Sequence, residues 1–239
     1  WDIVAGGAFD DVWKRAIHVL PRFQVPITWY LDRTFDWGST HPFYVAWWAE
    51  ANGDEATLPN GEKFCPVRGS LIMCAEWYGT KQIGTNKGLK MPSGTVAEGI
   101  REREKQLLAD EWILQQPFAG PADNQIRDVR ESDIDTIEEK MREKGIRWTE
   151  SDKSPGARRN GLELLRERLL NAKLKEGTAI YFMENCRGVI ATLPILPRDE
   201  VKFDDVDTDA EDHPYDGVRY RVLKGARKKA QTIPIRWAN

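Results

Sequence analysis

Cysteine is scarce in this chain and badly spaced for a structural role. The 239 residues include three cysteines, Cys65, Cys74 and Cys186, with no CxxC pair among them. That argues against a structural zinc site and against a disulfide framework, and free thiols in a reducing compartment are the expectation. Histidine is equally rare, and neither His18 nor His41 has acidic or cysteine neighbours at ligand spacing. No apolar stretch approaches the ~20 residues a membrane helix needs. The opening residues 1–7 lack the basic and apolar stretches of a signal peptide, and read as the interior of a longer protein. There are no internal repeats and no low-complexity tracts.

What is present is an aromatic-rich composition, 41% hydrophobic with ten tryptophans and eight phenylalanines. This suffices for a sizeable core in one large domain or two small ones. Trp29, Trp37, Trp47, Trp48 and Trp77 fall on strand-like runs or at their ends, so core packing is expected of them rather than base stacking. A net charge of −3 and a pI near 5.8 would by themselves argue against nucleic-acid binding. The average hides strong local asymmetry. Residues 140–175 hold eleven Lys/Arg and five Asp/Glu, residues 199–216 hold nine acids and one lysine, and residues 219–236 hold seven bases and no acid. Read as solvated faces, these runs mean little. Read together, they suit an acidic centre flanked by basic surface.

Residues 1–24, punctuated by Gly6-Gly7 and Pro21, read as a linker or the end of a preceding domain, and 25–239 as the folded domain with a basic tail from about 224. Three β-rich runs, 28–35, 43–49 and 69–78, predict an antiparallel meander, with a turn signal at Asn52-Gly53-Asp54. Helical spacing marks 98–116, 134–144 and a Leu-rich helix opened by Ser154-Pro155, and a short final helix covers 215–223. Residues 178–183 read as a strand and 188–193 as a possible further one. The alternation predicts an α/β domain with a central mixed sheet flanked by helices.

Three aspartates occupy distinctive settings. Asp36 ends the first strand run, Asp123 follows the short segment 118–122, and Asp216 opens the final helix. Each alone is an ordinary turn or cap residue. Brought together by a fold, they would repel one another unless cations neutralised them. Hard oxygen donors suit Mg²⁺ or Mn²⁺, and a pair of such ions is a device for cutting phosphodiesters. Asp205-Val206-Asp207-Thr208-Asp209 looks like a calcium loop but lacks the required glycine and glutamate, so a solvated acidic loop able to shield the site is expected. Lys153, Arg158 and Arg159 sit where a helix should begin, which suits either a DNA phosphate contact or a plain surface helix.

Three motifs carry a resemblance. They are Phe35-Asp36-Trp37-Gly38-Ser39-Thr40-His41-Pro42-Phe43 with Trp47-Trp48-Ala49-Glu50, then Asp152-Lys153-Ser154-Pro155-Gly156-Ala157-Arg158, then 193–200 running into 205–213. In order and spacing, from residue 1 to about 223, the chain is similar to the nuclease domain of bacteriophage large terminase subunits. The resemblance implies a ribonuclease-H-like fold and a metal-dependent endonuclease that cuts concatemeric double-stranded DNA during packaging in the host cytoplasm. It implies Asp36, Asp123 and Asp216 as the metal-binding triad, with Asp36 shared between two Mg²⁺ or Mn²⁺ ions. His213 becomes an accessory ligand or water-positioning group, or simply a helix-start residue. Implied partners are DNA, the small terminase subunit, the portal protein and the family's own ATPase domain, and no membrane. The phosphate-cradling Gly-x-x-x-x-Gly-Lys-Ser/Thr loop of that ATPase does not occur here. Another ribonuclease-H-like nuclease, such as a resolvase or integrase-like enzyme, and a non-catalytic docking module remain alternatives.

Overall fold

The computed structural model of the chain describes residues 7–129, 135–199, 201 and 205–230, with side chains as far as Lys224. The β-rich runs do form the expected meander: β2 (Tyr30–Asp36), β3 (Tyr44–Glu50) and β6 (Leu71–Tyr78) pair antiparallel in turn. They form the centre of a seven-stranded sheet. Its other members are β1 (Val19–Leu20), β7 (Pro121–Ala122), β8 (Thr149–Glu150) and β9 (Ile180–Met183), in the order β1-β9-β6-β3-β2-β7-β8. Every strand runs the same way except β3. A separate hairpin, β4 (Ala56–Thr57) and β5 (Lys63–Phe64), follows the turn at residues 52–54.

The central strands are covered on both faces, so Asp32 and Arg33 are buried too, each against a helix partner. The period of two assigns β2 side chains to alternate faces. On one face Arg33 meets Glu104 of α2 (Ser93–Ala109) at 3.0 Å, and Trp47 Nε1 donates to the same carboxylate. Phe35 stacks on Trp148 behind α3 (Ile137–Glu143). On the other face lie α4 (Ala157–Leu174) and α6 (His213–Ala230). There the fully buried Asp32 receives Arg221 at 2.7 Å and Lys224 at 2.8 Å. Gly217 lets α6 lie directly on the sheet, since a Cβ there would stand 2.7 Å from the Tyr44 ring. Of the tryptophans expected in the core, Trp47 and Trp48 on β3 and Trp29 just before β2 are fully buried, and Trp37 and Trp77 are half-buried.

Several expected boundaries are corrected. Residues 7–24 are no linker: Phe9, Trp13 and Phe23 are buried in the core, α1 (Arg15–His18) leads into β1, and β1 extends the sheet parallel to β9. The first six residues of that expected linker lie outside the described residues. The helix expected over 98–116 begins just after Pro92 and ends at Ala109, where Asp110 and Trp112 amides fold back on the last turn. Residues 188–193 form no strand. They lie in the short helix α5 (Arg187–Thr192) and the turn after it, because the Glu76 carboxylate accepts the amides of Gly188 and Val189. Ser154 does not cap α4. Its amide and hydroxyl turn back onto Asp152, and left-handed Gly156 precedes the helix instead. The final helix is longer than expected, and α6 takes in the first part of the basic tail as far as Ala230. Residues 231–239 lie outside the described residues.

Candidate active site at the strand ends

The three aspartates meet at the carboxyl ends of neighbouring parallel strands. Phe35 of β2 is in register with Ala122 of β7, and the Asp123 amide donates to the Phe35 carbonyl at 2.9 Å, so Asp36 and Asp123 stand side by side. The Asp123 carboxylate also accepts from the Gln125 amide, capping the 3-10 turn Asn124–Arg127, so it is a cap residue as well as a site residue. Asp216 arrives from above, in the first turn of α6. Asp36 and Asp123 are buried and Asp216 is half-buried, close enough that the charges of the other two bear on Asp36.

One face of α6 supplies most of the site. His213, Asp216 and Tyr220 follow at i, i+3 and i+7, which places them in line down one side of the helix. His213 Nδ1 lies 2.8 Å from Asp36 Oδ2. The Tyr220 hydroxyl reaches Asp36 Oδ1 at 3.2 Å and Asp216 Oδ2 at 3.5 Å, so it bridges two of the three acids. Arg219, buried against Gly161 of α4, holds Asp216 Oδ1 through Nε and Nη2 at 3.0 and 2.9 Å. Lys153 Nζ pairs with Asp123 Oδ1 at 3.0 Å and sits 5.3 Å over the Tyr220 ring.

The electrostatics are those of an acidic cluster short of positive charge. Burial, reinforced by Asp216 and Asp123 against the opposing His213 bond, pushes the Asp36 carboxyl up to about 6. Burial and Asp216 push Asp212, just before α6, up to about 7. Burial works to lower the His213 pKa. The bond to Asp36 and the charges of Asp36, Asp212 and Asp216 outweigh it and raise the imidazole above its ordinary value. Clustered carboxylate oxygens are the donor chemistry that a hard divalent cation satisfies. The residues therefore fit such an ion. Among the described residues, however, no three His, Cys, Asp or Glu side chains form a ready cage. Each triad carboxylate is bonded to a protein donor instead: Asp36 to His213 and Tyr220, Asp123 to Lys153, Asp216 to Arg219.

The structure thus gathers Asp36, Asp123, Asp216 and His213 at one place. Lys153, one of the candidate phosphate contacts, pairs with Asp123 in the acidic cluster. Arg158 is engaged with Asp205 of the acidic loop at 2.6 Å, and Arg159 stays exposed on the first turn of α4. The described part of that loop is tied down rather than loose: besides Asp205, Glu211 accepts from the Tyr78 hydroxyl and the Gly84 amide. His18 is buried between the Lys14 backbone and the Leu169 carbonyl, a structural position. Sequence reasoning misses Tyr220, Arg219 and Asp212, although helical spacing from Asp216 points to the first two. His41, given no role there, packs against His213 with ring centroids 5.9 Å apart.

No protein-family model and no curated protein matches the chain. Solved structures do. The P22 large terminase nuclease domain aligns over 93% of this chain and 94% of its own, with a TM-score of 0.61 at 11% identity. The large terminase from a thermophilic bacteriophage aligns over 91% of this chain and 45% of its own, with a TM-score of 0.59 at 16% identity. The complex of that terminase with ADP gives a TM-score of 0.62 at 15% identity, over 90% of this chain and 44% of its own. The chain spans less than half the length of that thermophilic phage terminase. At these identities the likeness is one of fold, and it bears out the resemblance carried by the motifs: the chain has the ribonuclease-H-like fold of a bacteriophage large terminase nuclease domain.

Proposed function

We propose that the chain is the metal-dependent endonuclease domain of a viral DNA-packaging terminase, cutting concatemeric double-stranded DNA. One observation carries the reading: three aspartates far apart in sequence, two of them buried and the third half-buried, converge at the strand ends of a sheet with this fold. Asp36, Asp123 and Asp216 would hold Mg²⁺ or Mn²⁺, with Asp36, on the central strand, between the other two. Bound there, two such ions supply the charge that activates water and stabilises the leaving 3′ oxygen. The chain's own part is positioning. His213 and Tyr220 fix the two oxygens of Asp36, Tyr220 ties Asp36 to Asp216, and Arg219 neutralises Asp216 from the buried side. Little sequence preference is expected, because phosphate contacts supply affinity without reading bases. In the longer protein the working partners would be an ATPase domain, the small subunit and the portal, at the procapsid in the host cytoplasm.

The test is nicking or linearisation of supercoiled plasmid with Mn²⁺, with and without EDTA. Cutting that EDTA and Asp36→Asn both abolish is the expected result. DNA binding without cutting in any divalent cation would make the domain a docking module instead.

A further inference from the structure

Lys153 occupies a carboxylate oxygen that the proposed cations need. Its ammonium lies 3.0 Å from Asp123 Oδ1, as Arg219 pairs with Asp216 and His213 with Asp36. The arginine beside Asp216 is 1% exposed and locked by packing, whereas the Lys153 side chain is 42% exposed. It stands on the segment between β8 and α4, just before left-handed Gly156. One of these two cations is therefore packed in place, and the other sits on a solvent-exposed side chain. The face of the Tyr220 ring lies 5.3 Å from the ammonium, and the hydroxyl of that ring touches Asp36 and Asp216, so the ammonium remains at the mouth of the cluster.

We propose that Lys153 is a built-in surrogate cation that exchanges roles when the site loads. Without a divalent ion it neutralises Asp123. A divalent ion at Asp123 displaces it, and the released ammonium pairs with a phosphate of the bound DNA. Free protein thereby keeps its acidic cluster partly neutralised, and a new phosphate contact appears only in the loaded state. This rests on the metal-dependent reading of the site.

Two measurements test it on the whole chain. The first is Mn²⁺ affinity by titration calorimetry without DNA. Lys153→Met removes the competitor and should tighten binding about two- to fivefold, the range of a partly exposed ion pair. Lys153→Arg keeps the charge and should stay near wild type. Lys90→Met removes an exposed charge from the segment that bonds to Ser39, and should change affinity by less than about twofold. The second is the salt dependence of binding to a short duplex, with EDTA and with Ca²⁺. Lys153→Met should flatten the slope of log affinity against log salt by about one only when the cation is present. An unchanged Mn²⁺ affinity in Lys153→Met, equal tightening in Lys90→Met, or a slope change independent of cation overturns the proposal while leaving the nuclease reading intact. Wild-type protein that binds no Mn²⁺ overturns both.

Discussion

Asp36→Asn should make the cation-free protein more stable than wild type and the cation-loaded protein less stable. The cause is burial. Asp36 is 5% exposed, and burial, with Asp216 and Asp123 against the His213 bond, moves its pKa from 3.8 to about 6. The folded state therefore holds this proton more tightly than the unfolded chain does. The penalty of keeping Asp36 ionised is absent below the unfolded value, grows as pH rises between the two, and is complete above about 6. At about 1.36 kcal/mol per pKa unit, it reaches ~3 kcal/mol at pH 8. Asparagine keeps the shape and one acceptor oxygen, but His213 loses a charged partner, so a net gain of ~1–3 kcal/mol is expected. For a chain of this size that is roughly 2–10 °C in Tm. Divalent ion reverses the order, since binding at about a thousand times Kd adds ~4.1 kcal/mol to the wild type alone. The assay is thermal unfolding at pH 8 in EDTA and in Mn²⁺, with crossing Tm values as the expected result. A mutant destabilised by more than ~1 kcal/mol in EDTA would refute the reasoning and make Asp36 a structural anchor for His213 and Tyr220.

Other substitutions probe the scaffold and the positioning groups. Arg221→Leu leaves the fully buried Asp32 with Lys224 alone and should destabilise the protein by ~3–5 kcal/mol in urea unfolding, without a change in Mn²⁺ affinity per folded molecule. His213→Ala frees one oxygen of Asp36 and should lower plasmid cleavage about ten- to a hundredfold, measured as initial rate at saturating Mn²⁺, with Tm shifted by only a few degrees. Gly217→Val drives a side chain into the Tyr44 ring, lifting the first turns of α6. It should weaken both Tm and Mn²⁺ affinity, whereas unchanged affinity would show that Asp216 is placed independently of the helix packing.

Much of this architecture is legible in the sequence for identifiable reasons. The meander strands are β-branched and aromatic runs that no helix pattern competes with. Asp36, Asp123 and Asp216 stand out because each sits at the end or start of an element, where a side chain can face a shared edge. Tyr220 is within reach, since i+4 from Asp216 puts it on the same helical face. Other features are settled only by tertiary contact. Residues 7–24 carry linker punctuation, yet Phe9, Trp13 and Phe23 find places in the core. The β-branched run after Arg187 favours a strand until the buried Glu76 carboxylate supplies the helix start. Lys153 and Arg158 look alike beside a helix start, but the fold gives one Asp123 of the aspartate cluster and the other Asp205 of the acidic loop. No local pattern distinguishes the two, because their partners lie far away in the chain.

That three dispersed aspartates form one cation-binding centre is tested most directly by anomalous diffraction. Crystals of the chain would be soaked in Mn²⁺ at concentrations that support plasmid cleavage. Anomalous peaks are expected among Asp36, Asp123 and Asp216, with Lys153 withdrawn from Asp123. Manganese bound elsewhere, or no peak at those carboxylates while the same protein cuts DNA, would contradict the shared centre.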